Sequence, residues 1–388
     1  MAVKIVRQSN KIALLGAPTS AAAMSAGLEG APSALRAAGL IELLRDAGYE
    51  VVDHGDDPVQ VFEPDTESPR ARNIPGVLKS IEALKPRVEQ LVKSGALPLI
   101  LAGDCSVALG TVAGARRYFR SLSMIYMDAD ADLNTPASTS SGCLDGMVVS
   151  HLTGRGAPEL VRFWSEPFLI REPDLALFGF SRLDAPEEKV LEASPLRRYS
   201  AVDVKKVGAA AAAKTALDRI RGNGNDFVLH LDVDVISDFS ATNYPSSNGL
   251  TFEEVRDALL VFAQQKNLAA IEVTAYNPTK DPDGSGAKKI VELLAEVLRA
   301  RLERLQEAEA AAAVSAPASP APKPAVSPKI AAVPEPDPAE IPEEIALPDP
   351  IAGEGWSSDS IDSGVETESD TESASEDADD QESSSSHS

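Results

Sequence analysis

The sequence predicts an α/β protein: a three-layer αβα domain on a mainly parallel sheet, followed by a disordered acidic C-terminal tail. Two observations carry that expectation. From residue 11 to about 305, short apolar runs alternate with longer segments whose apolar residues recur every three or four positions. Strand–helix–strand alternation of this kind buries a parallel sheet beneath helices on both faces. After about residue 310 the composition turns to Ala and Pro and then to Ser, Asp and Glu, which cannot bury enough apolar surface to offset chain ordering. The expected division is therefore residues 1–310 as one α/β domain and 311–388 as tail.

The elements follow in order. "KIALLGAP" at 11–18 is the first strand, and "APSALRAAGLIELLRDAG" is a helical segment closed by Gly48. "YEVVDHGD" at 49–56 is the second strand, followed by the helix "IPGVLKSIEALKPRVEQLVKSG", which again ends in Gly. "LPLILAGD", "SMIYMDAD", "DLALFGFS" and "DFVLHLDVDV" are the next four strands. The helix "TFEEVRDALLVFAQQK", the strand "LAAIEVTAYN" and the helix "GAKKIVELLAEVLRARLERL" complete the pattern.

Composition excludes several classes of function. The formal net charge is −24, but residues 311–388 hold 18 Asp+Glu against 2 Lys+Arg, so −16 of it belongs to the tail. The folded part lacks the clustered Lys and Arg that phosphate binding needs, and nucleic acid is not expected as a partner. No apolar run approaches the length of a membrane span, and the first residues have no secretory pattern. Two cysteines, Cys105 and Cys143, make no disulfide framework, so a reducing, cytoplasmic location is expected. Tail residues such as Thr367, three before Asp370, suit an acidophilic kinase, although a purely solvating tail is the simpler expectation.

The chemistry concentrates at strand ends, where ligands gather in an open parallel sheet. Asp128, Asp130 and Asp132 close one strand, and Asp232 and Asp234 close another. Period-two spacing turns alternate side chains to one side. Two such groups meeting at one sheet edge make a divalent-cation site the natural expectation, with Cys105 beside it in "GDCS". An EF-hand loop is excluded, because Leu133 stands at the sixth position where Gly is needed and Thr139 at the twelfth where Glu is needed.

Four segments together resemble the arginase, or ureohydrolase, superfamily: the opening "LLGAPTSAAAMSAGLEGAPSALRAAGLIELLRDAGYEVVDHGD", then "LAGDCSVALG", "DADADLNTP" and "LHLDVDVISD". The resemblance covers nearly all of residues 11–305. It implies a pair of Mn²⁺ ions that activate water to attack a guanidine or amidine carbon, with Asp128, Asp132, Asp232 and Asp234 aligned to retained ligands. Hard carboxylate oxygens suit such ions, and two-metal sites lower the pKa of water. Related enzymes are often trimers or hexamers, which leaves homo-oligomerisation open.

Three departures from the family pattern bear on function. Cys105 and Asp130 occupy the two histidine ligand positions, so one or two ions, or none, are the alternatives. Asp130 is expected as a substitute fifth carboxylate ligand, and Cys105, its thiol pKa raised by anionic neighbours, as a poor ligand without metal. Asp145 stands where the family has a catalytic His, and is expected to move protons. Ala275 stands where arginase has its guanidinium-contacting Glu, which makes arginine and agmatine poor candidate substrates, and Glu272 is no obvious replacement. Among the histidines, His54 is expected at the surface, His151 as structural, His230 in the core or supporting a ligand, and His387 in the tail; Cys143 is expected as a small buried residue. Two functions remain: a metal-dependent hydrolase of a non-peptide C–N bond in a linear guanidino- or amidine-type compound, or a degenerate relative that binds or regulates through fold and tail.

Overall fold

The structure, a computed structural model, describes residues 5–119, 121–220 and 225–315. Eight strands form one sheet: β1 (Lys11–Ala17), β2 (Glu50–Asp56), β3 (Leu97–Ala102), β4 (Leu122–Met127), β5 (Leu175–Phe178), β6 (Arg197–Tyr199), β7 (Asp226–Asp232) and β8 (Leu268–Thr274). Their order is β2-β1-β3-β8-β7-β4-β5-β6. Every pairing between them is parallel.

Alternate residues of each strand feed opposite layers. Ile12 and Leu14 of β1 pack with helices 31–37, 40–46, 209–220, 252–263 and 285–315. Ala13, Leu15 and Ala17 pack with helices 74–94, 107–115 and 148–152 on the other face. Each fully buried Leu contributes about 1.5–3 kcal/mol relative to exposure. The central strands β3 and β4 are buried at every position, which is why they read as near-continuous apolar runs, with Ser123 the polar exception in β4.

The structure adds to the sequence expectation in several places, among them helices Pro158–Arg162, Ala185–Ala193, Ala201–Val207 and Ala209–Ile220. β6 is a short edge strand, "RRY", with no apolar run to mark it. Helix Val107–Ala115 is buried on every side, so "VALGTVAGA" carries no amphipathic period. The segment 31–48 is two helices, Ala31–Ala37 and Leu40–Asp46, broken at Gly39 in the left-handed region (φ 89°). The last helix continues through Ser315, and the remainder of the expected acidic tail, with Thr367 and His387, lies outside the described residues. Among the described residues no helix is long and apolar enough to cross a membrane.

Candidate metal centre

Sheet register assembles the centre. Tyr126 of β4 pairs with His230 of β7, and His230 pairs with Glu272 of β8. One pleat further towards the carboxyl ends, Asp232 pairs with Thr274, and Asp128 stands two residues past Tyr126. Period two therefore stacks a row of Asp128, Asp232 and Thr274 above a row of Tyr126, His230 and Glu272, all on one face. Cys105 joins from the turn after β3. A Cβ on Gly103 would lie 1.7 Å from the Thr19 carbonyl oxygen, so only glycine lets this turn pass so closely. Asp104 then pins the turn, accepting from the Ala22 N–H at 3.0 Å, the Thr19 hydroxyl at 3.1 Å and the Ser106 N–H at 3.1 Å.

Backbone amides hold one oxygen of each central carboxylate. Asp128 Oδ1 accepts from the Asp130 N–H and Asp232 Oδ1 from the Asp234 N–H, both at 2.7 Å. Asp234 Oδ1 accepts from the Ala129 N–H at 3.1 Å. One oxygen from each of Asp128, Asp232 and Asp234, all buried, lies within 4.8 Å of the others, a spacing a single cation can span. The Cys105 thiol donates to Asp232 Oδ2 at 2.9 Å and stands 3.9 Å from Asp128 Oδ2. Cys105, Asp128 and His230 form a second buried trio within the same 4.8 Å limit.

Asp130 and Asp132, the other two acids of the first group, enter neither trio. Asp130 is clasped by Arg182, with Nε to Oδ1 at 2.8 Å and Nη2 to Oδ2 at 2.7 Å. The same Nη2 donates to Asp234 Oδ2, and Nη1 to the Tyr244 carbonyl at 2.6 Å. Asp132 sits in the left-handed region (φ 51°) and accepts from the Tyr126 hydroxyl. Asp145 Oδ1 accepts the Cys105 N–H at 2.8 Å, which ties the candidate proton carrier to the turn that bears the thiol. Cys105, Asp128, Asp130, Asp132, Asp145, Asp232 and Asp234 all line one cavity of about 370 Å³, with Arg182, Asp184, Glu187 and Tyr244 on its walls.

The electrostatics follow from burial and crowding. Burial and then Asp232, Asp132 and Asp234 push Asp128 well above the ordinary carboxylate range. Burial, followed by neighbouring acids, does the same to Asp132, Asp145 and Asp232. Asp234 is also raised by burial, but Arg182 works against the shift. Burial would lower the Arg182 guanidinium, yet Asp130, Asp234 and Asp128 outweigh it and hold the charge in place. Burial and the surrounding acids push the Cys105 thiol well up. So many destabilised anions on one floor, with one guanidinium at its edge, suit a cation.

His54 is exposed on β2 and far from this chemistry in role. His151 is buried in helix Val148–Leu152, where its ring occupies the space a Cβ on Gly156 would fill. Cys143 is buried, donates to the Ala22 carbonyl at 2.9 Å, and is pushed up to about 12 by burial and Asp145; both cysteines are free. Ala275 is buried with φ 64°, its N–H donating to the Gly103 carbonyl at 2.7 Å. It contributes no carboxylate. Sequence reasoning missed Arg182, Tyr126 and Thr274. Arg182 carries no local signal in "GFSRLD", and only the fold brings it to Asp130.

A parallel αβα sheet with buried carboxylates gathered beyond the ends of its central strands is the layout of an α/β protein with a candidate metal centre. The chain belongs to the arginase family, whose model matches residues 10–299. It is 30% identical to the arginase of Bacillus caldovelox over 295 residues, spanning 75% of this chain and 99% of the relative. The crystal structure of that arginase superposes with a TM-score of 0.69 at 28% identity, covering 74% of this chain and 98% of the other. The formimidoylglutamase of Bacillus subtilis, at 20% identity and a TM-score of 0.61, covers 77% of this chain and 88% of its own and shares the fold.

Proposed function

We propose that this protein is a divergent metal-dependent hydrolase of a non-peptide C–N bond in a small guanidino or amidine compound. The observation that carries this reading is the convergence of Asp128, Asp232 and Asp234, each with one oxygen amide-held, on the floor of an open cavity. These three residues would hold a divalent cation, and their hard oxygens match the family's Mn²⁺. A bound ion of this kind supplies Lewis acidity and lowers the pKa of water.

The protein's own groups do the rest. Asp145, fixed through Oδ1 and lining the cavity, is placed to give a proton to the departing amine. The acids of the wall, Asp184 and Glu187 among them, set a negative field that draws in a cationic amidinium or guanidinium. Ala275 offers such a cation no carboxylate, so arginine itself is a poor substrate in this reading. The arginase name of the 30%-identical relative supports the guanidino substrate class.

One observation favours a second reading. Arg182 already neutralises Asp130 and touches Asp234, so part of the acidic cluster is matched by a fixed cation that the family resemblance does not imply. A degenerate relative that binds without turnover would have the same arrangement. Metal analysis and a hydrolysis screen over guanidino and amidine compounds, after purification with Mn²⁺, separate the two. The hydrolase reading expects bound metal and turnover that falls more than about 100-fold in Asp232→Asn, beyond the 10–100-fold typical of losing a residue that merely supports a ligand. Turnover indifferent to Asp232→Asn, or a protein that holds no metal, sinks it.

A further inference from the structure

His230 is a buried polar group that the proposed hydrolysis leaves unused. Its ring lies flat on Tyr126, with centroids 4.2 Å apart and planes 1° from parallel. Nδ1 is 2.7 Å from Glu272 Oε1, and both side chains are fully buried. Glu272 Oε2 has no hydrogen-bond partner among the described residues. A buried His–Glu pair within a sheet is weak support for stability, since desolvation offsets its attraction. Its effect is orientational: the carboxylate holds the Nδ1 proton and leaves Nε2 as the free nitrogen. Nε2 faces Thr274 Oγ1 at 3.4 Å, and that hydroxyl is 3.2 Å from Cys105 Sγ. One ligand atom each from Cys105, Asp128 and His230 lies within 4.8 Å of the others.

We propose that Cys105, Asp128 and His230 form an inner metal site that prefers Zn²⁺ to Mn²⁺, sharing Asp128 with the outer carboxylate trio. The inference rests on the reading of that trio as a cation site only through the shared Asp128. Sulfur and imidazole are the softer donors that select zinc over manganese. On binding, the Sγ–H bond breaks, the sulfur pair forms the metal bond and the proton leaves to solvent. His230 thereby stands in for imidazoles absent at positions 105 and 130, delivered from a neighbouring strand.

The test loads the full-length protein with Co²⁺ as a spectroscopic substitute and with Zn²⁺ for X-ray absorption. The expected result is a near-ultraviolet sulfur-to-cobalt charge-transfer band, and a zinc shell with sulfur at about 2.3 Å and nitrogen at about 2.0–2.1 Å. Cys105→Ser abolishes the band. His230→Gln removes the nitrogen shell, and Glu272→Gln, which keeps size, weakens Zn²⁺ by about 10–100-fold. Thermal melts of each variant separate loss of ligand from loss of fold. A metal shell of oxygen alone, or a band indifferent to Cys105→Ser, overturns the inner site. Mn²⁺ binding that survives Cys105→Ser and is lost in Asp234→Asn then still supports the outer trio. Absence of every ion sinks both.

Discussion

Arg182 is the residue that most alters what the centre can do. Its guanidinium spans Asp130 and Asp234, so a fixed monovalent cation stands beside carboxylates that would otherwise attract a mobile divalent one. Asp130→His alone would set an imidazole against that guanidinium and gain little. The double change Asp130→His with Arg182→Gln removes the cation and restores a neutral donor. It is expected to bind Mn²⁺ at least about tenfold more tightly, about 1.4 kcal/mol, and to raise the stoichiometry by one ion in calorimetric titration. Unchanged stoichiometry would show that Arg182 is not what limits occupancy. Little at this scale was legible beforehand. The Asp groups announce themselves by period-two spacing, and His230 carries the same signal, two residues before Asp232. Arg182 and Asp130 are 52 positions apart, and no local pattern pairs them.

At the scale of elements, burial hides what it stabilises. Helix Val107–Ala115 carries Cys105 just before its start, yet all nine of its residues are buried, so it lacks the polar face by which a helix is read. Strand β6 is short and polar for the opposite reason, as the sheet's exposed edge. The short helix Val148–Leu152 supplies a prediction. Its His151 is held down to about 4 by burial, whereas the unfolded chain titrates near 6.5. Between those values the unfolded state binds more protons, so stability is full above about pH 6.5 and falls as pH drops towards 4. The loss is on the order of 3 kcal/mol at 1.36 kcal/mol per pKa unit. Urea melts of His151→Phe across this range should show a correspondingly shallower acid slope than the parent. Parallel slopes would mean that the imidazole takes its proton without unfolding.

Over the whole molecule, charge and core are divided along the chain. The tail's share of the net charge, −16 of −24, accompanies a composition that cannot bury apolar surface. Truncation after Ser315, where the last helix ends, is therefore expected to move Tm by under about 2 °C, equivalent to under about 1 kcal/mol. A larger fall in differential scanning calorimetry would give the tail a structural role. By itself the sequence determined the layered α/β architecture, the family likeness and the acids at two strand ends, because hydrophobic period and i, i+2 spacing are local properties written along the chain. Only the tertiary structure decided which of those acids face a common floor, that Arg182 claims Asp130, and that His230 and Cys105 meet across β8. Those outcomes depend on strand order and register, which bring together residues 52 positions apart in the case of Arg182 and Asp130, and further apart in the others, and leave no local trace.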